Sequence, residues 1–259
     1  MNTHAEKLTK RHADIVRMVR ERGTLAVSEI ADVLGVSDET VRRDVRPLVH
    51  RGDVVKLHGA VTLPHQVGEA PFERRLREFA EAKRAIAKRT AELVEDGDSL
   101  MLDTGTTTSI FAQELLKKHN LTIVTNSADI ARTLATANGN KVYMAGGELN
   151  GDNGAAFGPS AIAFAAGFRV RHAIVSIAAL DAIYGPMDSH LAEAEFARMV
   201  LSRGENRIML SDSSKFGRTA LIKVCDYDGI DRLVTEAAPP PALAAALASA
   251  GVSIDVAGP

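Results

Sequence analysis

The chain has 259 residues, 46% of them apolar, and 31 Lys and Arg against 33 Asp and Glu give a net charge of −2. That length and apolar content can fill the cores of two domains, and the near-neutral balance excludes a protein that is basic throughout. One cysteine, Cys225, excludes an internal disulfide, reads as a small buried hydrophobe and fits a reducing cytoplasm; the absence of Trp and 4% aromatics argue against a stacking platform for single-stranded nucleic acid.

Charge is unevenly divided. Residues 1–65 carry 11 Lys and Arg against 9 Asp and Glu, and the remainder carries 20 against 24. Contact with nucleic acid therefore has to come from a local patch in the N-terminal part. The first residues contain no apolar h-region, and no run approaches the roughly 20 apolar residues of a membrane span. A soluble, cytoplasmic protein is expected.

Residues 9–22 place Ile15, Val16, Met18 and Val19 among charged positions and predict a helix that stops at Gly23. Ile30, Ala31 and Leu34 then form one apolar stripe, with Gly35 placed to cap it in the left-handed conformation. A second helix starts at Ser37, whose hydroxyl can accept an orphan N–H of the first turn, and Val41, Val45 and Leu48 keep the spacing that faces a core. Thr40, Arg42, Arg43 and Arg46 are left on the opposite side. Donors concentrated on one short helix suit the major groove of DNA. Pro47 removes a backbone bond to residue 43 and is expected to kink or shorten this helix. After Gly52, residues 54–61 alternate loosely around Lys56 and His58 and predict a β wing with a bend at Gly59.

Residues 64–71, PHQVGEAP, read as a linker, and a helix rich in Arg and Lys is expected from Phe72 to about Val94. From Ser99 onward seven short apolar runs end in small polar residues, mostly separated by segments of helical spacing such as 109–118, 127–137 and 191–203. This pattern predicts a parallel sheet covered on both faces, with all strand C-termini on one edge, where open α/β sheets bind ligands. The domain organisation expected is 1–64, a winged helix-turn-helix, 65–71, a linker, and 72–259, a Rossmann-like α/β domain.

The polar clusters fall at those strand ends. Asp103-Thr104-Gly105-Thr106-Thr107-Thr108 offers hydroxyls and N–H groups at the start of a helix, where the dipole favours an anion, and Gly105 lets backbone approach a ligand. Neither a Walker loop nor a dinucleotide fingerprint is present, and threonines before a helix also serve simply as caps. Asn126, Gly146-Gly147 and Asp212-Ser213-Ser214-Lys215 complete the edge.

SDETVRRDVRPL followed by VVKLHGAV resembles the winged helix of the DeoR family of bacterial transcription regulators, and DTGTTT, TNS, GG, the Glu193-Ala194-Glu195 helix and SDSSKFG resemble its sensor domain. The similarity spans roughly residues 9–236. It implies an operator-binding domain and a sugar-phosphate sensor related in fold to ribose-5-phosphate isomerase. The chain departs from the family pattern in the single glycine after His58, in Pro47, at His172-Ala173-Ile174, and in the loop Ala182–Asp188, which is placed to set which sugar is recognised.

On this reading Ser37, Thr40, Arg42, Arg43 and Arg46 face DNA, although Arg42 and Arg43 also fit a solvated helix face and Asp44 can hold Arg46 locally. Lys56 and His58 touch phosphate or minor-groove atoms rather than bases, and Asp38 and Glu39 complement the helix dipole. The effector contacts are Asp103, Thr104, Gly105, Thr106, Thr107, Thr108, Asn126, Gly146, Gly147, Asp188, Glu193 and Lys215. Asp188 and Glu193 accept sugar hydroxyls or merely decorate a helix, and Lys215 contacts the anion or is an ordinary surface lysine. The histidines show no metal spacing, so neither metal nor cofactor is assigned. The function expected is a DNA-binding regulator, a repressor of a carbohydrate catabolic operon controlled by a phosphorylated sugar or polyol, acting on double-stranded operator DNA as a homodimer or homotetramer and without catalysis. The alternative is a sugar-phosphate isomerase carrying an accessory DNA-binding domain.

Overall fold

The computed structural model describes residues 3–50, 53–57, 59–63 and 70–258, which fall into two compact units, Met1–Glu69 and Ala70–Pro259. The first contains α1 (Thr3–Arg22), β1 (Leu25–Ala26), α2 (Val27–Leu34), α3 (Asp38–His50), β2 (Val55–Leu57) and β3 (Ala60–Thr62). Gly35 ends α2 in the left-handed region, φ 62° and ψ 38°, and its N–H reaches the carbonyls of Ala31 and Asp32. Ser37 Oγ accepts the Thr40 N–H at 3.3 Å and so caps α3. Val41, Val45 and Leu48 pack against Ile15, Val19 and Ile30 in one core, each side chain contributing roughly 1.5–3 kcal/mol by burial.

Three details differ from the sequence expectation. α3 is not shortened at Pro47 and runs on to His50; Pro47 and Arg43 both lie on the exposed side, where water can replace the missing N–H. Asp44 does not hold Arg46. It is buried and forms an ion pair with Arg11, tying α3 to α1. The third is β1, two residues long and too short to be read from a pattern, which pairs antiparallel with β3 and extends the wing to three strands.

In the second unit the single helix expected from Phe72 to about Val94 is two helices, α4 (Phe72–Arg77) and α5 (Ala80–Ala91). The chain breaks at Glu78, which is extended, and Phe79, which is left-handed at φ 54°. The physical reason is Lys83, whose ammonium folds back onto the carbonyls of Arg75 and Glu78 at the end of α4. Those donors satisfy carbonyls that a continuous helix would have used itself.

The seven expected strands are present: β4 (Ser99–Leu102), β5 (Thr122–Thr125), β6 (Lys141–Met144), β7 (Val170–Ser176), β10 (Gly204–Leu210), β12 (Arg232–Thr235) and β13 (Ser253–Val256). All pair in parallel, in the order β13-β12-β10-β7-β4-β5-β6. Strand residues alternate between two cores: Met101, Val124, Val175 and Met209 face one, and Leu100, Ile123, Ile174 and Ile208 the other. α5, α6 (Thr106–Glu114) and α7 (Ala128–Leu134) cover the second core, and α8 (Pro159–Ala166), α9 (Leu191–Leu201) and α10 (Pro241–Ser249) the first. The fold class is therefore a winged helix-turn-helix followed by a Rossmann-like parallel sheet. Because the crossovers reverse direction between β4 and β7, that pair is the topological switch point, and its carboxyl end is where such sheets bind ligands.

The segment read as a loop over Ala182–Asp188 is instead a hairpin. β8 (Ala179–Asp181) and β9 (Gly185–Asp188) pair antiparallel, and β11 (Ile222–Lys223) adds to β9 in a second small sheet. Pro186, lying inside β9, obscured the strand in the sequence.

Candidate functional site

In the first unit α3 presents an uneven row of cations. Arg42 lies 3.6 Å from Asp38 and 3.7 Å from Glu39, exposed pairs that a polyanion can displace. Arg43 and Arg46 are exposed and form no ion pair among the described residues. Ser37 and Thr40 bond each other at 3.0 Å in the capping turn, so their hydroxyls serve α3 first. Lys56 stands exposed on β2. His58 lies outside the described residues.

In the second unit the strand ends lay the expected clusters along one edge in the order Asp212, Asp103, Asn126, Gly146, with Ser176 at the end of β7 between the first two. At the switch point the Asp103 carboxylate accepts the Ser176 N–H at 3.1 and 3.2 Å, joining the ends of β4 and β7. Asp103 is buried, and burial first, then the negative charges of Asp188 and Glu193, push its pKa well above the usual carboxylate range. Asp188 is buried on β9 and accepts the Ala178 N–H at 3.2 Å; Glu193, in the first turn of α9, accepts Asn153 Nδ2 at 3.0 Å. Asp188 on β9 and Glu193 on α9 thus both act on Asp103, just past β4, at one end of the site.

Thr106, Thr107 and Thr108 form the first turn of α6, all buried. Thr108 Oγ1 donates to the carbonyls of Asp103 and Gly105, both at 3.1 Å, so its hydroxyl shapes the turn. Gly105 also meets a packing constraint. Its φ of 179° is extended backbone open to any residue, but a Cβ there would sit 1.9 Å from Ser176 Oγ. Asn126 is fully buried; Nδ2 donates to the Ala156 carbonyl at 2.9 Å, whereas Oδ1, like Thr104 Oγ1, has no hydrogen-bond partner among the described residues. Gly146 and Gly147 follow the edge strand β6 and are exposed; Gly147 packs near Phe157 O and Ser160.

Positive charge comes from two lysines. Lys215, half-buried, closes the 3-10 turn Ser213–Lys215 that Asp212 caps through the Ser214 N–H. Lys83 was missed in the sequence. It is buried on α5, and desolvation lowers its pKa to about 8, opposed by Asp212 and Glu78 and reinforced by Lys215 and Arg75. The signal was available: Lys83 shares the spacing of Ile86, Ala87, Thr90 and Ala91, all buried, and a lysine on the core side of a helix is an exception that calls for a reason.

A helix-turn-helix with a wing, joined to an open parallel α/β sheet, is the architecture of a transcription regulator with a sensor. The DeoR-like helix-turn-helix domain matches residues 11–67, and the DeoR C terminal sensor domain matches residues 78–237. The chain belongs to the DeoR family. It is 31% identical over 234 residues to the glycerol-3-phosphate regulon repressor of Escherichia coli (strain K12), covering 90% of this chain and 93% of that protein. It is also 31% identical over 244 residues to the transcriptional repressor CsqR of the same strain, covering 94% of each. Among solved structures, ribose 5-phosphate isomerase A from Methanocaldococcus jannaschii aligns over 53% of this chain and 55% of its own, with TM-score 0.40 and 15% identity.

Among the described residues no helix is long and apolar enough to cross a membrane.

Proposed function

We propose that this regulator is a repressor whose affinity for operator DNA is set by a small phosphorylated polyol or sugar. The observation that carries the reading is that the switch-point site holds groups of both kinds: three buried threonines open α6, Lys83 and Lys215 lie within electrostatic range of each other and of Asp212, and Asp103 lies within range of Asp188 and Glu193. A ligand with a dianion at one end and hydroxyls along the rest matches both kinds. The phosphate is held by Thr106, Thr107 and the ammonium groups of Lys83 and Lys215, with Thr104 and Gly105 framing the turn. The hydroxyls face Asp103, Asp188, Glu193 and Asn126; Gly146 and Gly147 border the far end. The name of the Escherichia coli relative, a glycerol-3-phosphate regulon repressor, supports a ligand of this class.

On the DNA side, Arg43, Arg42 and Arg46 enter the major groove from α3, Ser37 and Thr40 flank them, and Lys56 and His58 on the wing meet phosphate. Operator half-sites about 34 Å apart require at least a homodimer. The sensor binds without turnover, in the cytoplasm.

The test is calorimetry of the full chain with glycerol 3-phosphate, ribose 5-phosphate and fructose 6-phosphate, each against its unphosphorylated counterpart. Phosphorylated compounds should bind and take up a proton near pH 8, because an anion beside Lys83 returns the pKa of that lysine toward its ordinary value. Affinity should then fall as the pH rises past 8. Equal binding of the unphosphorylated compounds would remove the phosphate from this site, and product formation in the same mixtures would identify an enzyme instead.

A further inference from the structure

Between β6 and α8 the chain makes a tight turn in which two adjacent side chains grip different parts of the sensor unit. Asp152 accepts the Phe72 N–H on both carboxylate oxygens, at 3.1 and 3.2 Å, and lies 3.9 Å from Arg75. It therefore caps α4, two residues after the unit begins at Ala70, where the chain arrives from the DNA-binding unit. Asn153 is buried; its Nδ2 donates to Glu193 at 3.0 Å and its Oδ1 accepts the Ala155 N–H at 3.1 Å.

The turn holds these two residues together. Asn150 and Ala155 bond across it, and Gly154 returns its N–H to Asn150, both at 2.9 Å. Asn126 clamps its far side, accepting the Ala156 N–H and donating Nδ2 to the Ala156 carbonyl, again at 2.9 Å. Residues 150–156 are thus tied internally, and Asp152 adjoins Asn153 within that network.

We propose that this turn couples effector binding to the DNA-binding unit, with Asn153 as the positioning residue for Glu193 and Asp152 as the latch on the first turn of α4. The inference rests on the reading of the switch-point site as the effector site. A ligand hydroxyl on Glu193 shares that carboxylate with Asn153 Nδ2 and draws on the contact, and a ligand donor on Asn126 Oδ1 pulls on the same clamp. Either contact favours a second position of the turn, in which Asp152 no longer meets the Phe72 N–H in the same way. The operator response is bounded by the ligand's differential affinity for the two positions.

The test uses the full chain, the three sugar and polyol phosphates above as probes, and two readouts: calorimetric affinity for the probe, and the change in operator affinity when the probe is saturating. In the parent the second readout should be about 5–150-fold, the usual range of such coupling. Asp152→Ala should keep probe affinity within about twofold while its operator response collapses toward unity. Asp152→Asn, which retains an acceptor for the Phe72 N–H, should restore most of that response. Asn153→Ala should lower probe affinity through the loss of Glu193 positioning. A merely structural role would lower Tm without separating the two readouts. An operator response in Asp152→Ala equal to the parent's overturns the relay. A parent that binds none of the probes overturns the effector-site reading, and the relay falls with it.

Discussion

At the residue scale, Gly105 and Ser176 show how closely the switch point is packed. A methyl group at residue 105 would meet Ser176 Oγ at 1.9 Å and Ser176 Cβ at 3.1 Å, so Gly105→Ala should destabilise the unit by about 1–3 kcal/mol as an overpacked site. Ser176→Ala in the same chain should return part of that loss, since it removes the nearer atom and leaves the farther one. Denaturant unfolding of the two single variants and the double variant measures the coupling, and strictly additive effects would place the strain elsewhere. Asp103 makes a second prediction, with a definite sign. Its folded pKa lies above its unfolded value of 3.8, so the stability contributed by the bound proton is complete below pH 3.8 and is lost as pH rises through the folded pKa. Asp103→Asn keeps an acceptor for the Ser176 N–H and cannot ionise. Its stability relative to the parent should therefore grow as pH rises toward neutrality, and a constant difference across that range would contradict the shift.

Whole elements are tied down by ion pairs at the opposite edge of the sheet. His172 on β7 is buried and bonds Asp98, in the turn before β4, at 3.1 Å; Arg171 reaches the other Asp98 oxygen at 2.7 Å. Desolvation lowers the His172 pKa below 6.5 despite the attraction of Asp98. Burial opposes the charge on Asp98, yet the Glu95 N–H, Arg171 and His172 together hold its pKa below 3.8. Both depressed values act in one direction. Stability contributed by neutral His172 is present above pH 6.5 and is lost as pH falls through its folded pKa, and that of Asp98 is lost at still lower pH. Thermal unfolding should show Tm falling as pH drops below 6.5, and His172→Gln, which can still donate to Asp98, should lose that first step. An unchanged profile in the variant would assign the step to another group. At this scale the helices of the first unit and the seven parallel strands were legible because their apolar periods are written in adjacent residues, whereas β1, two residues long, carries too few positions to show one and Pro186 masks β9. The break between α4 and α5 was not, because it depends on Lys83 reaching carbonyls five and eight residues back.

For the whole molecule, the proposed function has α3 and the wing act on one polyanion. Arg43→Ala should weaken specific operator binding by about 1–3 kcal/mol if it reaches a base edge, and Arg42→Ala by less, since Arg42 already neighbours Asp38 and Glu39. Lys56→Ala should weaken binding to all sequences alike and flatten the salt dependence by about one unit of slope, as a phosphate contact does. Salt-dependent titrations of operator and random duplex separate the two behaviours. Full operator affinity in Arg43→Ala and Arg42→Ala together would remove α3 from the groove.

The amino-acid sequence by itself determined the helix-turn-helix with its Gly35 and Ser37 caps, the seven strands, and the placement of the polar clusters at strand ends. Those features are local: caps, periods and turns are set by residues within a few positions of one another. Only the tertiary structure decided which strand ends are neighbours. The switch point between β4 and β7 brings Asp103 to Ser176, 73 residues apart, and the hairpin of β8 and β9 carries Asp188 into range of Asp103. Likewise Asp152 meets Phe72 across 80 residues and Lys83 is buried near Asp212. Contacts of that separation arise from chain closure around shared cores, which residue spacing does not encode.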